Sequence, residues 1–363
     1  MNFKSFCQNI GIESASPEAE QIYIRALTDG MLDEPIDLSL LCDRFEELRK
    51  HVLEIAEAIQ VNTLWLRYVN LLKICYHQLP QEKIPYLEPQ KGRTLGNLAP
   101  AIALALLSRD TEIHMQQRGI PQDMCRSILL SYERILQGHE KTHGFYGVSR
   151  MFFAWAKHYL LPDTYRIGAL SFEITKPRPG EAAIALTENG EEIFLNDATV
   201  TENGICGTIL ARGGEVERAV SYRRKEYTPV LMPNDAILSI HIPKGTRIDR
   251  ESCEETYRQA IAFFQKHYPE KEISMFYCRS WLMDPALADI LPPTSNILSF
   301  QSWFRKYPSK STGKEVFNFV HPLPFSSFDE LPERTTLERG LKRRYLENHP
   351  IYVYAGYFPF TKV

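Results

Sequence analysis

Residues 236–278 read AILSIHIPKGTRIDRESCEETYRQAIAFFQKHYPEKEISMFYC, and the order of elements in this stretch governs the fold of the C-terminal half. The apolar run at 236–242 predicts a strand, the apolar periodicity of 252–267 predicts a helix, and 273–278 predicts a second strand. A strand–helix–strand crossover makes its two strands parallel neighbours in one sheet. Ligands of such sheets gather at the carboxyl ends of the central strands.

The flanking sequence predicts the rest of this sheet. Short alternating runs at 165–175, 183–195 and 205–231 are punctuated by Asn-Gly and Gly-Gly pairs, which are typical of hairpin turns. Beyond residue 278 the patterns predict helices at 285–291 and 296–306, a strand at 315–320, a helix at 335–348 and a last strand at 351–358. An antiparallel meander followed by a crossover indicates a mixed sheet with its parallel pair in the middle.

The N-terminal half has helical periodicity from residue 17 to about 160. Segment 41–60 carries apolar residues every three or four positions, and the apolar run Leu98–Leu107, which contains Pro100, is typical of a buried helix. We therefore predict an α+β protein. An all-helical N-terminal domain (1–162) precedes a mixed-sheet α/β domain (163–363).

Composition excludes several classes of protein. Forty-two basic and 45 acidic residues give a net charge of −3, which argues against a nucleic-acid partner. No signal-peptide core and no run of about 18 apolar residues is present, so we expect a cytoplasmic protein without a membrane partner. The seven cysteines, of which the nearest pair (Cys253 and Cys278) is 25 positions apart, indicate neither a disulfide framework nor a metal knuckle.

Four stretches carry a family resemblance: YRIGALSFE at 165–173, HIPKG at 241–245, FYCRSWLMDP at 276–285, and SNI with the following FQ at 295–301. The element order resembles that of the GNAT N-acyltransferase fold. The four stretches resemble a bacterial group of two-domain acyltransferases, in which a helical N-terminal domain precedes a GNAT-like domain. The resemblance implies acyl transfer from an acyl-CoA-type thioester, as co-substrate, to a small-molecule amine or peptide. It implies no metal, and we expect the helical domain to shape the acceptor pocket.

Three candidate catalytic residues lie near the ends of the two central strands. His241 can deprotonate an attacking ammonium, or it can cap a buried turn before Pro243. Cys278 and Ser280 share one side of an extended strand, and either can donate to a thioester or accept an acyl group. Packing for Cys278 and a helix cap for Ser280 are the competing interpretations.

The donor-binding loop departs from the family pattern. GNAT enzymes usually hold the coenzyme A pyrophosphate on a glycine-bearing loop, whereas residues 243–252 contain one glycine, and Ser252 with Glu255 predicts a capping box on the helix amides. The donor-binding residues implied here are Lys244, Gly245, Arg247, Arg250, Asn296 and Gln301. Asn296 equally suits a helix N-cap. The missing glycines favour an alternative function, a catalytically degenerate GNAT-like binding or scaffolding protein.

A second motif offers a different chemistry. His139-Glu140-Lys141-Thr142-His143 matches H-E-x-x-H, which on a helix places two zinc ligands and a glutamate base together. Gly138 and Gly144 bracket the motif, so we expect a loop there rather than a helix. A zinc hydrolase that uses His139, Glu140 and His143 therefore stands as a minor alternative, and no metal site is expected.

Overall fold

The computed structural model describes residues 1–13, 15–156, 160, 164–243, 245–321 and 325–363. The chain divides into two compact units, Met1–Thr164 and Tyr165–Val363. Within the described ranges, none of the helices combines the length and the apolar character that a membrane crossing needs.

The first unit is built from α-helices. Nine are described: α1 (Phe3–Ile10), α2 (Pro17–Thr28), α3 (Leu38–Arg44), α4 (Arg49–Gln60), α5 (Thr63–Gln78), α6 (Thr94–Gln117), α7 (Gln122–Leu129), α8 (Ser131–His143) and α9 (Arg150–Trp155). Helix α6 is buried continuously from Gly96 to Ala105 and contains Pro100, which confirms the buried helix predicted there.

The periodic segment 41–60 is not one helix, because the chain is extended at Phe45 between α3 and α4. The buried carboxylate of Glu133, from α8, accepts hydrogen bonds from the backbone amides of Glu46 (3.1 Å) and Leu48 (2.5 Å). This side chain satisfies amides just before α4 that the helix itself leaves unpaired. A contact between distant segments therefore overrides the local periodicity.

The second unit contains two sheets and four described α-helices. Its strands are β1 (Thr164–Ile167), β2 (Leu170–Thr175), β3 (Ala182–Leu186), β4 (Glu192–Val200), β5 (Gly204–Leu210), β6 (Val216–Arg223), β7 (Tyr227–Leu231), β8 (Ile237–His241), β9 (Met275–Ser280), β10 (Arg305–Pro308) and β11 (Tyr354–Pro359). Its helices are α10 (Arg250–His267), α11 (Asn296–Gln301), α12 (Phe317–Val320) and α13 (Thr336–Leu346).

One predicted strand is wrong. Segment 315–320 holds the short helix α12, because the Glu315 carboxylate accepts the backbone amide of Thr312 (2.7 Å) and closes a turn that leads into the helix. The additional strand of the sheet is β10, which overlaps the end of the segment predicted as helix 296–306, because the helix there ends at Gln301.

The larger sheet has six strands in the order β1-β2-β8-β9-β11-β10, and β8 and β9 form its parallel pair. Strand β8 is antiparallel to β2 on its other side, and β9 is antiparallel to β11. The predicted mixed sheet with a central parallel pair is confirmed, but the runs at 183–195 and 205–231, which were predicted to extend it, form a separate sheet. Helix α10 connects the two parallel strands, as in a crossover unit.

Both faces of the six-stranded sheet are covered. One face packs on α10 through an aromatic cluster of Phe172, Tyr257, Phe276, Trp303 and Phe358. The other face packs on the five-stranded sheet, whose order is β6-β5-β4-β3-β7. The apolar contacts between the sheets come from Ala183, Phe194, Leu231, Ile237, Tyr277, Ala355 and Tyr357.

A buried ion pair ties the β5–β6 hairpin to the end of β9. Asp284 is fully buried and accepts two hydrogen bonds from the Arg212 guanidinium, at 2.8 and 3.0 Å. Its carboxylate also accepts the backbone amides of Ala286 and Tyr352. Four donors on one carboxylate fix the loop that follows β9.

We expect Arg212→Met to lower the free energy of unfolding by about 2 kcal/mol, because it leaves the Asp284 carboxylate buried without its cation. The effect is below that of a fully buried pair because Arg212 is 38% exposed and two amides remain on Asp284. Urea denaturation measures the change. Arg343→Met, at an exposed position of α13, is the matched control, and equal effects of the two substitutions would contradict the proposed importance of the pair.

Candidate active site

The two central parallel strands part at their carboxyl ends. They pair at Leu238 with Phe276 and at Ser239 with Tyr277. Beyond this point β8 stays paired with β2 as far as His241, while β9 stays paired with β11 as far as Ser280. Each of the two strands stays paired with the neighbour on its far side but no longer pairs with the other central strand. The backbone groups that face each other there are available to an extended ligand. We call this opening the strand gap.

His241 is the last residue of β8 and stands at the strand gap. Its Nε2 lies 2.9 Å from Oε2 of Glu173 on the neighbouring strand β2. The imidazole is 27% exposed and the carboxylate 18% exposed, so a ligand in the gap can reach the ring. A carboxylate bonded to one ring nitrogen orients the imidazole, so that its other nitrogen can face a ligand. Sequence reasoning missed Glu173, which only strand pairing brings beside His241.

The structure does not bring His241 and Cys278 to the same face. Because Ser239 is level with Tyr277, His241 shares the face of Tyr277 and Arg279, whereas Cys278 lies on the opposite face with Ser280. The predicted common side for Cys278 and Ser280 therefore matches the strand geometry. A single reacting group cannot contact His241 and Cys278 from the same side of the sheet.

Cys278 lies on the face that α10 covers and is 2% exposed. Burial raises the pKa of its thiol to about 12, so the thiol is protonated near neutral pH. The thiolate is the nucleophilic form of cysteine, so this environment suits packing better than acyl transfer through sulfur.

Ser280 ends β9 and caps the next turn. Its Oγ accepts the backbone amide of Leu282 at 3.1 Å, at the start of a 3₁₀ turn over Trp281–Met283. This is the capping arrangement foreseen as the alternative for this serine. The bond uses the oxygen as acceptor, so the hydroxyl hydrogen can still be donated to a ligand.

Arg279 shares the face of His241, but its guanidinium points to other partners. Its Nε donates to Oγ of Ser309 (2.8 Å), and Nη2 donates to the carbonyl of Lys310 (2.6 Å). The buried Glu181 carboxylate accepts from Ser309 and from the hydroxyl of Tyr277. Burial lowers the pKa of Arg279 and raises that of Tyr277. This network lies between the two sheets and anchors β9, which forms one side of the strand gap.

The loop before α10 departs from the predicted capping box. The helix begins at Arg250, and the N-cap is Asp249, whose carboxylate accepts the backbone amide of Ser252 at 3.1 Å. This hydrogen bond, with a smaller contribution from Arg247, lowers the pKa of Asp249. Asp249 rather than Ser252 is the N-cap, because it lies about one turn earlier, where the chain is still extended. The carboxylate occupies an amide that could otherwise hold phosphate.

The other residues of this loop are placed as follows. Gly245 has φ +76°, a left-handed conformation that favours glycine. Arg247 is exposed and lies 2.6 Å from Asp249, and the Arg250 guanidinium lies over the Trp303 ring. Lys244 lies outside the described residues.

Asn296 and Gln301 lie at the two ends of α11. Ser295 is the N-cap of this helix, so Asn296 is its exposed first residue. Gln301 is buried, and its amide donates to the carbonyls of Leu282 (2.7 Å) and Asp284 (3.1 Å). Its side-chain oxygen accepts from Lys306, so this amide is engaged in holding the loop after β9.

The H-E-x-x-H motif is helical, and the loop predicted there is wrong. Helix α8 continues to His143 and ends at Gly144, whose φ of +77° terminates it. The rings of His139 and His143 lie 4.4 Å apart, and Nδ1 of His139 is 2.9 Å from the carbonyl of Phe145. In the described part of the chain no three His, Cys, Asp or Glu side chains converge to hold a metal, so the zinc alternative lacks a third ligand there.

We expect the Cys278 thiol to resist alkylation in the folded protein, because it is buried and protonated. Iodoacetamide at mildly alkaline pH should modify the exposed Cys206 and leave Cys278 intact, as measured by peptide mass spectrometry. In concentrated guanidinium chloride both should react. Rapid modification of Cys278 in the native protein would restore it as a candidate nucleophile.

Comparisons with known proteins identify the family of the chain. The profile of the GNAT-like C-terminal domain matches residues 164–358, and that of the N-acyltransferase N-terminal domain matches residues 36–160. A sequence comparison with curated proteins gives no significant match.

Similar folds occur among solved structures. An acyltransferase in complex with decanoyl-CoA and teicoplanin has 17% identity and a TM-score of 0.68 over 99% of this chain and 100% of that one. An acyltransferase mutant in complex with octanoyl-CoA has 16% identity and a TM-score of 0.66 over 99% of each chain. At sequence identities this low, structural similarity establishes the fold alone. The sequence profiles show that the chain belongs to the two-domain acyltransferase family that joins an N-acyltransferase N-terminal domain to a GNAT-like C-terminal domain.

Proposed function

We propose that this protein transfers an acyl group from an acyl-CoA thioester to an amine. The observation that carries the proposal is the parting of β8 and β9 after Ser239 and Tyr277, with His241 and Glu173 beside the opening. The solved structures of similar fold support a coenzyme A donor, since they are complexes with decanoyl-CoA, octanoyl-CoA or CoA.

The strand gap suits the pantetheine arm of such a donor. This arm is an extended chain with two amide groups, and amides pair with a strand edge as a further strand would. After Ser239 and Tyr277, β8 and β9 no longer pair with each other, so the edges that begin at Ile240 and at Cys278 can pair with the arm. The thioester then lies near His241, at the carboxyl ends of the strands.

The reaction follows from these positions. The amine nitrogen attacks the thioester carbonyl carbon and forms the C–N bond, His241 accepts a proton from that nitrogen, and the C–S bond breaks. The sulfur leaves with the electron pair and takes up the proton that His241 accepted, which gives the free thiol of coenzyme A. Glu173 orients the imidazole and stabilises its positive charge. Much of the rate enhancement comes from holding amine and thioester together.

The acceptor is an amine on a small molecule or peptide in this proposal. Two of the similar structures also contain teicoplanin or 10C-teicoplanin, which supports an acceptor larger than a simple metabolite. A second candidate function is a binding protein that keeps the fold without turnover. The Asp249 carboxylate at the N-terminus of α10 favours this alternative, because it occupies an amide and adds negative charge where a pyrophosphate would bind.

Donor binding is tested by thermal unfolding with CoA and with acyl-CoA species of increasing chain length. A ligand at about 100 times its dissociation constant should stabilise the folded state by about 2.7 kcal/mol. Release of free thiol in the presence of amines then separates a transferase from a binding protein. A chain that no acyl-CoA stabilises would overturn the transferase proposal.

We expect His241→Ala to lower kcat by about 100-fold or more, because the variant has no base for the amine proton. Glu173→Gln should lower kcat by about tenfold with little change in donor affinity, since it keeps a hydrogen-bonding side chain but loses the charge. Steady-state kinetics and donor titration measure both effects.

His349→Ala, at a histidine that is 66% exposed, is the control for the loss of an imidazole in the same unit. Circular dichroism should show an intact fold in all three variants. If turnover in His241→Ala equals that of His349→Ala, then His241 is not the base.

A further inference from the structure

Ser239 and His241 are the accessible residues of strand β8. Both are half-buried, whereas Ile237, Leu238 and Ile240 are buried. Because the two accessible residues are two positions apart on an extended strand, they share one face and lie about 6–7 Å from each other along the strand. The proposed reaction uses His241 but not the half-buried serine beside it.

Ser239 stands at the closed end of the strand gap. It is level with Tyr277, and these two residues form the last pair that joins β8 to β9. His241 lies two residues further toward the open end, where β8 stops. A hydroxyl at residue 239 therefore lies beside the inner end of a ligand that fills the gap.

The Ser239 hydroxyl is available to a ligand. Among the described residues, no side chain or backbone group forms a hydrogen bond with it. Glu173 is its direct neighbour on β2, but Oε2 of that carboxylate lies 2.9 Å from the ring of His241. A hydroxyl offers one donor hydrogen and two acceptor positions. When it is half-buried and has no protein partner, water or a ligand satisfies it.

The other side-chain donors at the closed end are engaged or buried. Tyr277 donates its hydroxyl hydrogen to the buried Glu181 carboxylate and is itself 4% exposed. Burial and the charge of Glu181 raise the pKa of this phenol. On the opposite face, the Cys278 thiol is buried as well. Within the described part of the chain, Ser239 is therefore the side-chain donor at the closed end that a ligand can reach.

The shape of an acyl-CoA donor decides which of its groups meets Ser239. The thioester is at one end of the pantetheine arm, and the phosphates are at the other. Because charged phosphates are costly to bury, they stay at the open end of the gap and the thioester enters first. The thioester carbonyl then lies between Ser239 and His241, on the face that both share. Its oxygen gains negative charge when the amine attacks, and a hydroxyl that is already in place stabilises that charge.

We propose that the Ser239 hydroxyl donates a hydrogen bond to the thioester carbonyl oxygen of the donor and stabilises its negative charge during acyl transfer. This inference rests on the proposed function. Ser239 keeps its proton throughout, whereas His241 receives a proton from the amine and passes it to the sulfur. The two residues share one face of β8 and perform different tasks.

The hydrogen bond is tested on the bound donor, without an acceptor. Infrared difference spectra of octanoyl-CoA, isotope-labelled at its carbonyl carbon, report the hydrogen bonding of the carbonyl oxygen. The carbonyl band should move to higher frequency in Ser239→Ala and return toward the wild-type frequency in Ser239→Thr, which keeps a hydroxyl. Affinity gives a second measurement. Ser239→Ala should bind octanoyl-CoA about threefold to tenfold more weakly, and it should bind S-octyl-CoA, a thioether without the carbonyl, as the wild type does.

Ser171→Ala is the matched control. Ser171 lies opposite His241 on β2, on the same face of the sheet but on the side of β8 that is away from the gap. Its substitution should leave the carbonyl frequency and both affinities at the wild-type values. Circular dichroism should show an intact fold in all variants.

Each result decides a separate question. If the wild-type protein binds octanoyl-CoA and the carbonyl band is unchanged in Ser239→Ala, the inference about Ser239 is wrong and the transferase proposal stands. If Ser171→Ala moves the band as far as Ser239→Ala does, the effect does not come from a hydroxyl at the closed end, and the inference is also overturned. If the wild-type protein does not bind octanoyl-CoA, the proposed function fails, and the inference fails with it.

Discussion

A central strand directs its backbone amides and carbonyls alternately towards its two neighbours, and β8 and β9 pair with one another over only two residue pairs. Beyond Ser239 and Tyr277 the inner edges of both strands lack a common ladder. An unpaired polar group that is buried costs about 1–3 kcal/mol, so such an opening persists only where solvent or a ligand satisfies it. The strand gap is thus a break in the sheet that the surrounding structure must hold open.

Long-range contacts hold the two walls of the gap. On one side, β8 remains paired with β2 through Ser171 and His241. On the other side, β9 remains paired with β11, and the loop after it is fixed by the four donors on Asp284 and by the buried Gln301 amide. Gly356 permits this packing, because a Cβ there would lie 2.7 Å from the methyl group of Met283. The walls are therefore set by packing outside the gap.

The two faces at the gap differ in chemistry. Glu173 and His241 form a polar pair on one face, whereas Cys278 is buried under α10 on the other. A reaction that moves a proton belongs on the polar face, and the apolar face excludes water from the sheet. The start of α10 adds a third environment, in which Asp249 caps the helix and Arg250 lies on Trp303. The Glu173–His241 pair, the buried Cys278 and the start of α10 therefore provide three different chemical environments.

Local sequence determined the crossover unit at 236–278, the class of the fold, and the position of His241 at the end of a strand. It could do so because apolar periodicity and strand ends are properties of neighbouring residues. The capping role of Ser280 was also visible locally, as an alternative. The same reasoning misplaced the N-cap of α10, because Asp249 and Ser252 both suit a cap and only the path of the chain selects one.

Only the tertiary structure decided which groups meet. Glu173 reaches His241 because β2 and β8 are neighbours, although 68 residues separate them in the chain. Lys362 joins Arg250 on one indole for a similar reason, and the burial that raises the pKa of the Cys278 thiol comes from distant elements that pack over it. Hydrogen bonds across a sheet and removal from water depend on which distant elements become adjacent, and no local pattern carries that information.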